Sequence, residues 1–489
     1  MSETMVKRKV LLGSAITAAI LSTAYIGGAY VAGKAAEKTL QKQHEWLSSL
    51  PYFIVKNREY QPGWFSSNEK TTLLLNPELY RFFIERAGTE LPKFEVTYTQ
   101  HIKHGPFPLL SSFNLRPYKA VVESEFVFSP ETQKFLTQFF GTQKPIHIEN
   151  RIGFNDDGVI SVKVPSFDYE EAISGVKAKW KGFDATLNYG GDFNSVKLIA
   201  NAPGLSGEAK GKLSFAFNDL SFGFDHIRGK TGVMLGTTNA NLAGFNMQLS
   251  EGTPIKLKLE NLKYAGNIAE DGEYINGGAN INLARLILDD QPYGPAELQA
   301  TASHLHGPTL AKLADEFTAL QKKQLKRDEF SGELVKLVKT HGMPLLTHDP
   351  LLAIKKFDVK LPDGSIRFTT EVGLKGFKPE DLDKPVEFVS KLHARADFSV
   401  PRKVIETMVM WQARNMFGGP DSGVAADDLD YLAGQFVEGQ INKLTDQNLI
   451  RSENGLLSAK ASLEKGAFTL NGINVPLPWQ QPAESVNEQ

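Results

Sequence analysis

The sequence predicts an α+β fold that is predominantly antiparallel β: a single N-terminal transmembrane helix, then a large β-rich body carrying inserted helices. Three observations predict it. An uncharged apolar run opens the chain, a period of two dominates residues 51–305, and a helical period appears only later. Composition agrees, since 31 Phe and 42 Gly among 489 residues suit strands and turns.

The N-terminal element comes first. Lys7-Arg8-Lys9 precede a run from Val10 to Ala32 that carries no charge. At the helical rise that run spans about 34 Å, enough for a hydrocarbon core of about 30 Å. The basic cluster before the span places residues 1–9 in the cytoplasm and the bulk outside. A cleaved signal peptide is the competing reading, but its apolar region is shorter, and Val31-Ala32-Gly33 is a mediocre cleavage site. The expectation is therefore a signal anchor at 10–32 and a juxtamembrane segment at 33–50. Small residues spaced by four, Ala15/Ala19 and Gly28/Ala32, admit close helix pairing and hence a homodimer.

Strands follow. Leu213, Phe215 and Phe217 alternate with polar residues, and Leu220, Phe222 and Phe224 repeat the pattern beyond Asn218-Asp219. Ile255/Leu257/Leu259 and Ala279/Ile281/Leu283 do the same, as half-buried antiparallel strands require. Asn155-Asp156-Asp157-Gly158, Gly190-Gly191-Asp192 and Glu270-Asp271-Gly272 punctuate them as hairpin turns. Residues 51–305 thus form a β-rich region.

Residues 306–475 mix the two periods. Thr309 can cap a helix with the stripe Leu310, Leu313, Phe317 and Leu320, continuing through Phe330, Leu334 and Leu337. Strands resume at Leu352–Val359 and Ile366–Val372. A second helix follows Ser399, with Val404, Ile405, Met408, Trp411 and Phe417 inward and a stop at Gly418-Gly419. A third carries Leu429, Leu432, Phe436, Ile441 and Leu444 inward. Strands at Leu456–Leu463 and Ala467–Leu470 close the body, and 476–489 reads as a flexible tail.

Chemistry is constrained mostly by exclusion. Zero Cys removes disulfides, thiolate metal sites and cysteine nucleophiles. A net charge of -2 argues against nucleic acid as a partner. There is no G-x-S-x-G elbow, no H-E-x-x-H and no phosphate loop, because position 206 is Ser and position 213 is Leu around Gly211-Lys212. No cofactor, catalytic residue or metal ligand is expected. His101 and His104 fall on opposite strand faces, and His304, His306 and His348 read as surface or loop residues. The distinctive segment is His104-Gly105-Pro106-Phe107-Pro108. Two prolines fix φ on either side of Phe107 and Gly105 permits an unusual turn, so the segment is a rigid hook. Phe107 either plugs the end of a sheet or contacts a partner or ligand.

These residues carry a resemblance. Gly63-Trp64-Phe65-Ser66-Ser67, His104 through Leu109, Arg151-Ile152-Gly153, Asp349-Pro350, Val437-Glu438-Gly439 and Thr469-Leu470-Asn471-Gly472 occur in an order similar to the YdgA-like (YdgA/YihF) family of bacterial envelope proteins. Pro62 departs from the basic residue expected before that glycine. The resemblance implies a single-pass inner-membrane protein with a β-rich periplasmic body and no assigned function. It supplies no catalytic residue to carry over.

Two function classes follow, both non-catalytic. One is binding of an apolar envelope ligand such as lipid, in a groove formed where Phe215, Phe217, Phe222 and Phe224 lack cover. The other is a scaffold that docks envelope proteins. A hydrolase is the remote third.

Overall fold

The computed structural model describes residues 3–77, 93–171, 173–251, 254–323, 325–417 and 426–477, and the side chains of 3–24, 415, 417 and 426–428 are not among those described. Gly418-Gly419 and the predicted tail from 478 onward lie outside the described residues. The chain forms two compact units, one of residues 1–205, 221–228 and 314–337, the other of 206–220, 229–313 and 338–489.

In the first unit a helix lies on an antiparallel meander. Strands β1 (Phe53–Gln61), β2 (Ser66–Leu75), β3 (Glu95–His104), β4 (Ala120–Val127), β5 (His147–Ile152) and β6 (Gly158–Val164) pair in sequence order. Strands β7 (Phe167–Glu170) and β8 (Val176–Trp180) form a hairpin, and β9 (Phe183–Tyr189) then pairs with both β6 and β10 (Ser195–Ala209). The Asn155–Gly158 and Gly190–Asp192 turns stand where the sequence placed them. Helix α1 (Glu3–Ser49) packs its stripe Ala36 and Leu40 on Ile102, Ala120, Val122 and Ile152. A short helix, α2 (Pro130–Phe140), capped by Ser129, rests on β7 through Phe139 and Phe140.

Here the sequence expectation is corrected. Among the described residues no helix is long and apolar enough to cross a membrane. This overturns the transmembrane helix and signal anchor at 10–32, and with them the single-pass inner-membrane placement with a periplasmic body. The β-rich body with inserted helices stands; the anchor does not. The physical reason is visible at residues 28–33. Their small side chains raise hydropathy, but they serve close packing against protein. Ala29 and Ala32 are buried, and Pro106 stands 3.3 Å from where a Cβ on Gly28 would be. Gly28/Ala32 is thus occupied by the strand-bearing body, while Ala15/Ala19 lies outside the described side chains.

The second unit is a longer sheet. Its order is β12 (Met234–Leu249), β13 (Ile255–Asp271), β14 (Tyr274–Leu288), β16 (Ala296–His306), β17 (Leu351–Leu361), β18 (Gly364–Leu374), β19 (Leu392–Pro401), β21 (Leu456–Glu464) and β22 (Ala467–Leu470), all antiparallel. One face is polar and laced with ion pairs such as Lys356–Glu297, Lys355–Glu371 and Lys460–Asp397. The other is apolar. Helices α7 (Arg402–Phe417) and α8 (Ala426–Asp446) cover one end of it, burying Val404, Val437 and Ile441 on Val400 and Leu457. Of the predicted inward stripes, Val404, Leu429 and Ile441 are buried, whereas Met408, Trp411, Leu432 and Phe436 are exposed. The predicted single helix from 309 to about 342 is two, α3 (Gly307–Lys322) and α4 (Arg327–His341), and a short α5 (Met343–Thr347) follows. The remaining short helix is α6 (Pro385–Lys391).

Candidate functional site

The His104–Pro108 hook is a helix-docking device. His104 is 2% exposed. Its Nδ1 lies 3.1 Å from the Ala29 carbonyl and its Nε2 3.1 Å from Ser67 Oγ. The carbonyl can only accept, so Nδ1 carries the proton and the Ser67 hydroxyl donates to Nε2. Burial holds His104 below the usual histidine pKa, against the raising effect of the Ala29 bond, and favours this neutral form. Gly105 takes φ 129° and brings its backbone against Ala29. Phe107 itself is 36% exposed, and its carbonyl accepts from Tyr25 Oη at 3.4 Å. The Trp64-Phe65 segment meets the same helix: Trp64 lies 5.4 Å from Tyr30 and Phe65 stacks on Tyr25 at 6.1 Å. Two of the six segments that carry the sequence resemblance therefore converge on α1 residues 25–33.

Farther along α1 the contacts turn polar. Gln43, Tyr189 and Asn150 close a ring of hydrogen bonds at 2.7, 2.8 and 3.0 Å. Thr39, Lys42 and Lys119 converge on Asp156. Glu69, fully buried, takes both Arg58 nitrogens at 2.8 and 3.0 Å and an ion pair from His44. Burial alone would raise its pKa, but the His44 and Arg58 bonds outweigh that and hold it at about 2. Each of these groups is spent on another, which is the behaviour of an interface holding a helix.

The other histidines that the sequence singles out also have partners. His101 is exposed beside Asn68. His306 and His348 stack at 4.2 Å and Tyr274 stacks on His304 at 4.6 Å. His306 Nδ1 meets Thr309 Oγ1, the residue expected to cap α3.

The four phenylalanines sit on β11 (Leu213–Arg228), in which Asp219 takes φ 49°. Phe215 and Phe217 belong to the second unit, Phe222 and Phe224 to the first. Phe215 lies over Gly207 and lines a hollow of about 360 Å³ with Met247 and Leu257. Phe222 is exposed and meets Phe224 edge-on, while Phe224 stacks on His226.

The larger concavity lies on the uncovered part of the apolar face in the second unit, about 740 Å³ in volume. Register explains it. One row across the strands is Ile268, Gly277, Ala302, Leu352 and Val372; the next is Gly266, Ala279, Ala300, Ile354 and Thr370. Gly277, Ala279, Ala300 and Ala302 make a floor too low to fill the face. A third row of Tyr264, Ile281, Leu298, Phe357 and Phe368 stands as a wall beside it. Leu352, Val372 and Ile268 are exposed on its flanks, at 54%, 40% and 38%. No charged residue lines the trough. Sequence reading missed it because alanine and glycine at alternate positions look like weak strand residues; only cross-strand register gathers them into a surface.

No curated protein and no solved structure matches this chain. The profile of DUF945, bacterial proteins of unknown function, matches residues 7–478, and the chain belongs to that family.

Proposed function

We propose that this chain is a non-catalytic binding protein for an apolar ligand, held in the trough over Gly277 and Ala302. Within its family it is the YdgA-like resemblance at Trp64-Phe65 and His104–Pro108 that it carries, and those segments serve α1 rather than the trough. One observation supports the reading most: a sheet face lined by no charged side chain, about 740 Å³ in volume, left uncovered where the α7/α8 pair ends. That volume falls within the roughly 300–1,000 Å³ of ligand sites. An uncovered sheet face of this kind otherwise exposes apolar area to water at about 25 cal/mol per Å². Among the described residues its lining holds no carboxylate, amine or imidazole, so the trough offers binding without a general acid or base.

The test uses the full chain and an environment-sensitive naphthalene sulfonate dye. Gly277 is the place to perturb. A Cβ there meets the Asn267 carbonyl at 3.4 Å and Ile268 Cγ1 at 4.0 Å, both ordinary contacts, and its φ is not left-handed. Gly277→Val therefore fills the floor while favouring the strand by about 0.5–1 kcal/mol. The expected result is dye binding lost with thermal stability kept or raised. Dye binding that is unchanged in Gly277→Val would remove the trough as a ligand site and favour the scaffold reading, in which another protein covers the face.

A further inference from the structure

We infer that the ligand of the trough is a single unbranched alkyl chain lying across the strands, selected by length and not by head group. The inference rests on the trough being a ligand site and adds which chemistry fills it. Length comes first. From Ile268 on β13 to Val372 on β18 the row crosses β14, β16 and β17, four inter-strand steps. At about 4.8 Å each that is about 19 Å. A fully extended polypeptide advances about 3.6 Å per three backbone bonds, so about 19 Å corresponds to roughly 16 bonds of a zigzag chain.

Width comes second. The floor is two rows wide, residues two apart on each strand, or about 7 Å. The larger residues Tyr264, Ile281, Leu298 and Phe357 of the next row border it on one side. A floor two rows wide has the breadth of one methylene chain. A fused-ring sterol or a lipid with two chains side by side needs more breadth.

Charge comes third. The nearest charged residues, Lys355, Glu371, Arg395 and Asp397, belong to the opposite face, where Lys355 pairs with Glu371 and Arg395 with Glu464. The lining offers a charged or strongly polar head no partner, so the head stays in solvent and the uncharged chain carries recognition.

Saturated fatty acids and the matching primary alcohols from 8 to 18 carbons, each below its micellar concentration, are titrated against the bound dye on the full chain. Complete burial of a methylene is worth about 0.8 kcal/mol, close to fourfold. The trough is open on one side, so about twofold tighter binding per methylene is expected. The gain should level off near 16 carbons. Acid and alcohol of one length should agree within a few fold, and cholesterol should not compete. Ala302→Phe, placed midway along the row, should lower the length at which affinity levels off to about half while the melting temperature holds. A flat length series, cholesterol competing as well as the 16-carbon chain, or a tenfold preference for acid over alcohol would each overturn the inference, even with dye binding still dependent on Gly277. If no dye binds, or dye binds regardless of Gly277→Val, the trough reading itself has failed, and the two failures are told apart.

Discussion

Glycine 33 gives a sharp test of how α1 is held. In an exposed helix interior, Gly→Ala stabilises by about 1 kcal/mol through helix propensity. At Gly33 the added Cβ would lie 2.5 Å from His104 Cε1 and 2.8 Å from Nδ1, well inside van der Waals contact. Either the helix lifts or the imidazole moves. The ring cannot move freely, because both nitrogens are engaged, with the Ala29 carbonyl and Ser67 Oγ. Overpacking of a close-fitted contact costs about 1–3 kcal/mol, and leaving a buried polar group unpaired costs about 1–3 kcal/mol. After the propensity gain, Gly33→Ala should destabilise by about 1–5 kcal/mol, a fall on the order of 10 °C for a unit of this size. Gly27 is the control, since nothing lies within 4 Å of its Cβ position; Gly27→Ala should stabilise by about 1 kcal/mol. Urea and thermal unfolding followed by circular dichroism read both. In the double variant with His104→Ala, the Gly33→Ala penalty should disappear, as coupled contacts require. Equal, stabilising effects of Gly27→Ala and Gly33→Ala would refute the close packing of α1 on His104.

Other outcomes follow from the same contacts. Glu69→Gln should destabilise by about 3–5 kcal/mol, because it strips the buried charge that pairs with the Arg58 guanidinium, and chemical denaturation measures it. Stability should respond to acid in two windows. His104 has a lowered pKa when folded, so its contribution is complete above the unfolded value of about 6.5 and declines as pH falls below it. Glu69 is ordinary when unfolded but about 2 when folded, so its contribution is complete above about pH 4.5 and is lost as pH drops toward 2. A pH series of unfolding free energies should show a smaller upper window in His104→Ala than in wild type, the remainder coming from His226 and His306, whose pKa values burial also lowers. Gly434→Ala on α8, where a Cβ meets nothing within 4 Å, should stabilise by about 1 kcal/mol in thermal melts.

What was legible in the sequence was local. Alternation at Ile255–Leu259, Ala279–Leu283 and Ile366–Val372 marked real strands, and Glu270-Asp271-Gly272 marked the β13–β14 turn, with Gly272 at φ 62°. What failed was the meaning of a run of small apolar residues. Hydropathy cannot distinguish alanines that face lipid from Ala29 and Ala32, which face a strand-bearing body, since both are small and uncharged. The helical stripes failed differently. Periodicity predicts a face but not how much of it is covered, and Met408 and Trp411 on that face are exposed.

A sheet that needs only a core does best with large side chains at every inward position, since each buried methylene stabilises by about 0.8 kcal/mol. Under α7 and α8 the second unit follows that rule, with Val400, Leu457 and Ile366 inward. Two rows away it does not: Gly277, Ala279, Ala300 and Ala302 occupy adjacent inward positions on paired strands, and glycine in a strand costs about 0.5–1 kcal/mol relative to alanine. Backbone geometry does not demand Gly277, for its φ is not left-handed and a Cβ would fit. The small residues thus sacrifice stability where nothing in the sheet requires it, and they do so beside exposed Leu352 and Val372. Space kept at a cost, next to apolar flanks and away from charge, is what a site for an apolar chain requires, and a stabilising Gly277→Val that abolishes binding would express both halves of that argument in one variant.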